Sequence, residues 1–264
     1  MDKKIIFFDI DGTILSHKTG GISDCVKKAI QATSALGHLC FIASGRPIGF
    51  LADNVKNIGF DGFVLANGAD IKFHNHELEA RFMDYEYVKD LCHNLKAKNI
   101  EYILQTPTYC YLPKDSHCLY DFYSHCHVNF DMFCNDYDED EQMHRVVKME
   151  VWTNSTEEVE YCKQAFKNFN YELHEDIHSF EVYSRVVSKA TGIQDVLRIL
   201  NIPLENSYCF GDGANDVEMF DTVAHPIAMG NALDMIKEKA EIICLSVDED
   251  GVYHQLKDMF DLDI

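Results

Sequence analysis

Residues 7–13 read Phe-Phe-Asp-Ile-Asp-Gly-Thr, a pair of aspartates set at the end of an apolar run that begins at Ile5. Short continuous apolar runs suit strands buried on both faces, as in a parallel sheet. Removing a carboxylate from water is costly unless a cation or several hydrogen-bond donors meet it. Either the strand has ended at Asp9, or something positive waits there. Two further runs share the design: Leu39 to Ala43 stops at Ser44-Gly45-Arg46-Pro47, and Tyr208 to Phe210 stops at Gly211-Asp212-Gly213. Helical patterns alternate with them, Val26, Ala29, Ile30 and Thr33 after the first run and Ile193, Val196, Leu197 and Leu200 before the third. This alternation predicts an α/β class, with a doubly wound, mostly parallel, Rossmann-like core sheet. Ligands bind such sheets beyond the carboxyl ends of the strands, so the three polar ends are expected to converge there.

The middle of the chain follows a different pattern. Val88, Leu91, Cys92 and Leu95 recur at helical spacing, and Val147 to Val151 alternates strictly, as in a sheet with one wet face. Ser155-Thr156-Glu157-Glu158 has capping-box spacing ahead of Val159, Cys162 and Phe166, and Phe180 to Tyr183 reads as a strand. An α+β insert is therefore expected over residues 83–185, with residues 1–82 and 186–264 forming the core. The acidic run Asp138 to Glu141 is expected to be a solvated loop.

A chain of 264 residues with 47% hydrophobic content has ample material for a core. Its 44 acidic residues against 23 Lys and Arg give a net charge of −21, which repels DNA, RNA and anionic lipid. Neither a nucleic-acid nor a membrane partner is expected. The same field repels a phosphorylated metabolite unless a metal ion and local cations reverse it at one spot. No apolar run is long enough to span a bilayer, and the N-terminal stretch lacks the features of a signal peptide. Together with ten cysteines and no secretory signal, this points to reduced thiols and a cytoplasmic location. Cys110, Cys118, Cys126 and Cys134 recur every eight residues beside His117, His125 and His127, yet none forms a close chelating pair, so no zinc site is expected.

Asp9 and Asp11 share one side of an extended chain, and Gly12 lets the chain turn. One carboxylate can attack phosphorus to form an aspartyl phosphate, while its neighbour protonates the leaving oxygen and later activates water. Both steps call for a divalent cation. A strand closing in an acidic turn is the plainer alternative. Asp212, Asn215 and Asp216 supply further oxygens of the kind magnesium takes. A glycine-rich turn with an asparagine cap explains Asn215 but leaves Asp212, beside Phe210, without a reason. Ser44-Gly45-Arg46-Pro47 reads as a helix start whose free amides, with the Ser44 hydroxyl, suit either a phosphate or an ordinary cap. Ser188 is placed to cap the helix running to Leu200, which puts Lys189 in the first turn against the macrodipole. A bound anion would relieve that placement; a solvated surface lysine is the alternative. Lys189→Ala is accordingly expected to impair phosphate binding far more than folding.

DIDGT at Asp9 to Thr13, SGR at Ser44 to Arg46, Lys189, and GDGAND at Gly211 to Asp216 occur in that order. Together they resemble the haloacid dehalogenase superfamily. The long insert between the second and third motifs, and Asn67-Gly68-Ala69 after the apolar run Phe63 to Ala66, resemble its Cof-type phosphatases with a C2-type cap. The resemblance implies a magnesium-dependent phosphatase that hydrolyses small phosphorylated metabolites, sugar phosphates or similar phosphomonoesters, through an aspartyl phosphate. It implies that Asp9 is the nucleophile and Asp11 the general acid and then base. Magnesium would be held by the Asp9 carboxylate, the Asp11 carbonyl and the Asp212 carboxylate, with Asp216 supporting it directly or through water. Ser44, Gly45, Lys189 and Asn215 would hold the phosphoryl group, and the cap would set specificity. One departure stands out: many relatives are expected to carry a glycine after the lysine, and here Ala190 follows Lys189. A phosphomutase or phosphotransferase of the same fold is one alternative. A non-catalytic phosphometabolite-binding regulator is another, although a binding module needs no nucleophile beside an acid. Substrate and oligomeric state are not legible in the chain.

Overall fold

The computed structural model describes residues 2–125, 130–175 and 178–264. Cys126, His127 and the side chain of His125, from the cysteine–histidine series above, lie outside the described residues. The strands in chain order are β1 (Ile5–Phe8), β2 (Leu39–Ala43), β3 (Gly62–Leu65), β4 (Asp70–Phe73) and β5 (His76–Ala80). There follow β6 (Glu101–Gln105), β7 (Cys110–Tyr111), β8 (Phe133–Cys134), β9 (Lys148–Trp152), β10 (Asn170–His174) and β11 (Ser179–Tyr183). The last are β12 (Ser207–Gly211), β13 (His225–Ala228) and β14 (Ile242–Ile243). The chain separates into two compact units: Met1–Gly45, Asp53–Leu78 and Ser188–Ile264 form the first, and Arg46–Ala52 with Glu79–Val187 the second.

The first unit is an α/β domain around an eight-stranded sheet ordered β14-β13-β12-β1-β2-β3-β4-β5. From β14 to β3 the pairings are parallel, and β4 runs antiparallel to β3. The three apolar runs of the sequence are thus neighbours, β12, β1 and β2, at the centre of the sheet. All of β1 and β2 is buried, and the Phe8 and Phe210 rings stack with centroids 5.2 Å apart. Each fully buried Ile or Phe contributes about 1.5–3 kcal/mol, so the centre of the sheet is strongly specified. Phe8 pairs with both Phe210 and Ile42, and so Asp9 stands level with Gly211 and Ala43, the last residues of β12 and β2. The helix Asp24–Ala35 starts where Ser23 accepts from the Val26 amide at 3.2 Å, and buries Val26, Ala29, Ile30 and Thr33.

The second unit is α+β. Its six strands are ordered β10-β11-β9-β6-β7-β8, antiparallel except for the β7–β8 pair. One face packs Tyr102, Leu104, Met149, Val151, Phe180 and Val182 against residues of the helices Tyr85–Ala97 and Thr156–Ala165. The other face corrects the reading of Val147 to Val151. Lys148 is 1% exposed and Glu150 6%, so neither faces water. Leu119 and Tyr123, on the helix Cys118–His125, join Ile103 and Leu112 in a second apolar cluster. Glu150 accepts from the Tyr123 hydroxyl and from Ser179 Oγ at 2.7 Å, while Lys148 pairs with Glu181. Alternation reveals that a strand has two unlike faces; it does not reveal that the polar face will be covered by another layer. Residues 46–52 join this unit as well, with Phe50 stacked on Phe133 at 5.6 Å and 4.9 Å from Tyr123. The acidic run Asp138 to Glu141 is a second correction, because it is not a loop. Asp138 caps the short helix Glu139–Met143, and Glu139 takes the Tyr102 hydroxyl and the Lys96 ammonium. Among the described residues no helix is long and apolar enough to cross a membrane.

Candidate active site

The strand does end at Asp9, and a cation does wait there. The Asp9 amide donates to the Phe210 carbonyl at 3.0 Å, the last rung of the β1–β12 ladder. The Asp9 side chain meets Lys189, whose Nζ lies 2.6 Å from Asp9 Oδ1 and 2.7 Å from Asp216 Oδ1. Lys189 is 3% exposed, so it is not a solvated surface lysine. Its helix, Lys189–Ile199, opens on a reciprocal cap: Ser188 Oγ accepts from the Thr191 amide at 3.3 Å, and Thr191 Oγ1 accepts from the Ser188 amide at 2.9 Å. A lysine in the first turn opposes the helix dipole. Here two carboxylates outweigh that opposition. Burial alone would lower the Lys189 ammonium, but Asp9 and Asp216 together raise it above its ordinary value.

Beyond Asp9 the chain turns through Asp11, which is half-buried, and Gly12 at φ +81°. A Cβ on Gly12 would stand 2.3 Å from Asp212 Oδ2, so both the conformation and the space demand glycine. Thr13 Oγ1 donates to Asp212 Oδ1 at 3.0 Å. Past β12, Asp216 closes the next turn from within: its Oδ2 accepts from the Asp212 and Gly213 amides at 3.0 and 3.1 Å. Asn215 stands exposed on that turn, outside the Asp9–Lys189–Asp216 hydrogen-bond set.

One carboxylate oxygen from each of Asp9, Asp212 and Asp216 lies within 4.8 Å of the others. Of these three carboxylates, Lys189 pairs with two, Asp9 and Asp216. Burial pushes the Asp9 carboxyl up to about 7, with Lys189 opposing and Asp216 adding to the rise. Burial likewise raises Asp212 to about 6, with Thr13 opposing. Both shifts express chiefly the cost of holding a carboxylate away from water, to which the neighbouring Asp216 adds. A hard dication taking oxygen ligands fits this donor set and would favour the ionised forms.

Ser44 and Gly45 follow β2. The Ser44 amide donates to the Val64 carbonyl at 2.8 Å and so belongs to the sheet. The expected helix start at Pro47 is corrected. Pro47 precedes only a three-residue 3-10 turn, Ile48–Phe50, closed by Phe50 N to Pro47 O at 3.0 Å, and Leu51 returns to extended backbone. The Ser44 carbonyl accepts from the Asn67 amide at 3.3 Å. Ala66, Asn67 and Gly68 all have positive φ, at 49°, 56° and 90°. For Ala66 this left-handed conformation costs roughly 1–2 kcal/mol.

Residues 6–256 match the haloacid dehalogenase-like hydrolases as a family. The chain belongs to that family. It is 29% identical to the Bacillus subtilis protein called "Putative phosphatase YkrA", covering 98% of each chain. It is 26% identical to the B. subtilis 5-amino-6-(5-phospho-D-ribitylamino)uracil phosphatase YwtE, covering 94% of this chain and 95% of the relative. Among solved structures it superposes on the subclass IIB sugar phosphatase BT4131 with a TM-score of 0.77 and 26% identity, over 98% of this chain and 100% of that one.

Two residues of this haloacid dehalogenase-like hydrolase enter the site without a signal in the sequence. Asn231 Nδ2 donates to the Gly12 carbonyl at 2.8 Å and lies 3.4 Å from Asp212 Oδ2, tying the first turn to the third. Gly192 meets Gly68 backbone to backbone: a Cβ there would stand 2.8 Å from Gly68 Cα. The expected glycine is absent at Ala190, and close approach to the Lys189 helix is instead made at position 192. The positive φ of Gly68 that goes with this approach is not visible in the chain alone.

Proposed function

We propose that the chain is a phosphatase hydrolysing small phosphomonoesters, sugar phosphates or similar compounds, through an aspartyl phosphate on Asp9. The observation that carries this reading is the Asp9 carboxylate itself. It sits at the carboxyl end of the central strand, with Oδ1 held by a buried lysine and two more carboxylates within 4.8 Å. The relatives support the substrate class: one is named as a 5-amino-6-(5-phospho-D-ribitylamino)uracil phosphatase and another as a sugar phosphatase.

On this reading an Asp9 oxygen attacks phosphorus as the ester P–O bond breaks, and Asp11 gives its proton to the departing alkoxide. Asp11, now a carboxylate, takes a proton from water, which attacks the aspartyl phosphate and frees phosphate and Asp9. Lys189 fixes the Asp9 carboxylate for attack and favours its ionised form, and Asp216 fixes Lys189. Ser44, Gly45, Lys189 and Asn215 bind the phosphoryl oxygens. Asp9, the Asp11 carbonyl and Asp212 would hold magnesium, with Asp216 contributing directly or through water. Bound there, the ion offsets the charge of carboxylates and phosphoryl oxygens alike. Choice among substrates falls to the insert, residues 83–185, and a cytoplasmic location accords with small-metabolite chemistry.

The test is a panel of phosphorylated sugars, polyols, nucleotides and cofactors, assayed for inorganic phosphate with magnesium present. Release from at least one class, abolished in Asp9→Asn, is the expected result. Isomerised product without free phosphate would identify a mutase instead, and no turnover on any compound would favour a regulator.

A further inference from the structure

Asn67 has no place in the chemistry described above, yet its surroundings are unusual in three ways. Its side chain is 8% exposed and its Nδ2 is buried with no hydrogen-bond partner among the described residues. Its Oδ1 lies so close to Gly45 that a Cβ at position 45 would stand 2.7 Å away. It sits between two other residues of positive φ, in a turn that touches two separate segments of the site. On one side the Asn67 amide donates to the Ser44 carbonyl. On the other, a Cβ on Gly68 would stand 2.0 Å from the Ser188 carbonyl, the residue before Lys189.

The turn therefore spans from the Ser44–Gly45 loop to the start of the Lys189 helix. Strained backbone and a buried donor without an acceptor are both unfavourable, and they persist where the surrounding structure holds them for another purpose. Asparagine suits the place because it tolerates the left-handed region, and its amide fills the space that the missing Gly45 side chain leaves.

We propose that Asn67 is a positioning residue that braces the Ser44–Gly45 loop at a set distance from Lys189, and so fixes the two halves of the phosphoryl-binding site. This rests on the phosphatase reading for its purpose, but not for its mechanics. Asn67→Gly keeps the backbone conformation and removes the brace; Asn67→Ala removes the brace and adds strain.

The experiment compares amide hydrogen exchange and inorganic phosphate binding in wild type and both variants, with magnesium present, alongside turnover of p-nitrophenyl phosphate. In both variants exchange should rise at Gly45 and Arg46 and at the start of the Lys189 helix, and not across β1 and β12. Phosphate should bind about tenfold more weakly, with KM rising more than kcat falls, since loosened binding groups act on bound anion before chemistry. Unchanged exchange at Gly45 in Asn67→Gly overturns the proposal whatever the kinetics. Exchange rising evenly over the whole first unit also overturns it, because that marks a residue that merely stabilises the fold. If wild type hydrolyses no phosphate ester while the local exchange changes appear, the brace stands and the phosphatase reading falls.

Discussion

Lys189 does more than its position in the sequence implies. With Asp9 and Asp216 at 2.6 and 2.7 Å and all three side chains withdrawn from water, it is the counter-ion of a buried cluster. Removing one partner of a buried ion pair typically costs about 3–5 kcal/mol, because a charge is left uncompensated. Lys189→Ala is therefore expected to lower folding stability by about 3 kcal/mol or more in magnesium-free buffer, as well as to stop turnover. That differs from the reading of the sequence, in which the loss fell mainly on phosphate binding. A denaturant midpoint equal to wild type would return Lys189 to the role of a simple phosphate ligand. The two aspartates are separated by a different measurement. On the proposed mechanism Asp9→Asn lacks its nucleophile and should never carry a phosphoryl adduct. Asp11→Asn can still be phosphorylated by an aryl phosphate whose leaving group needs no proton, but it cannot activate water. It should accumulate an added phosphoryl mass on the peptide containing position 9. An adduct elsewhere would reassign the nucleophile.

Among the elements, β9 and β11 show how a buried charge is accommodated outside the candidate site. Lys148 on β9 pairs with Glu181 on β11, where Glu181 stands opposite Glu150. Burial alone would raise the Glu181 carboxyl, but Lys148 and His174 outweigh it and hold it at about 2. A carboxyl whose folded pKa lies below its ordinary 4.5 contributes stability above that value, which is lost as pH falls towards 2. Trp152, the single tryptophan, lies on β9 and reports the second unit by fluorescence. Wild type should exceed Glu181→Gln in stability by a few kcal/mol at pH 7, with the gap closing below about pH 3. A gap that stays constant with pH would mean that the pair contributes packing and not charge. The capped helices were more legible than this rung. Ser188 and Ser155 mark helix starts through local chemistry, whereas the fate of Glu150 depended on Tyr123, 27 residues away in the chain on the helix Cys118–His125.

For the molecule as a whole, a net charge of −21 makes any cation mildly stabilising, so magnesium must be distinguished from salt. The cluster of Asp9, Asp212 and Asp216 predicts a specific effect. A ligand that binds only the native state adds about 2.7 kcal/mol at a hundredfold excess over Kd. The thermal midpoint should rise with magnesium well beyond the rise in sodium chloride of equal ionic strength, and Asp212→Asn should remove the difference. Chelation should abolish phosphate release, with magnesium restoring it. Equal midpoints in the two salts, or full activity after chelation, would remove magnesium from the site.

The central strands, the helices that flank them and the convergence of their polar ends were determined by the sequence alone. Ile5 to Phe8, Leu39 to Ala43 and Tyr208 to Phe210 carry a hydrophobic pattern that has few ways to be buried, and parallel strands expose their carboxyl ends on one side. The burial of Asp9 beside a cation was legible for the same reason, since a carboxylate ending a buried strand demands a positive partner. Which partner could only be decided by the tertiary structure, because Lys189 stands 180 residues from Asp9. So too with Asn231 against Gly12, Gly192 against Gly68, the burial of Lys148 and Glu150, and the joining of residues 46–52 to the second unit. Periodicity and caps act over one or two helical turns. Charge pairing, close backbone approach and the covering of a polar face act between segments that only the completed fold brings together.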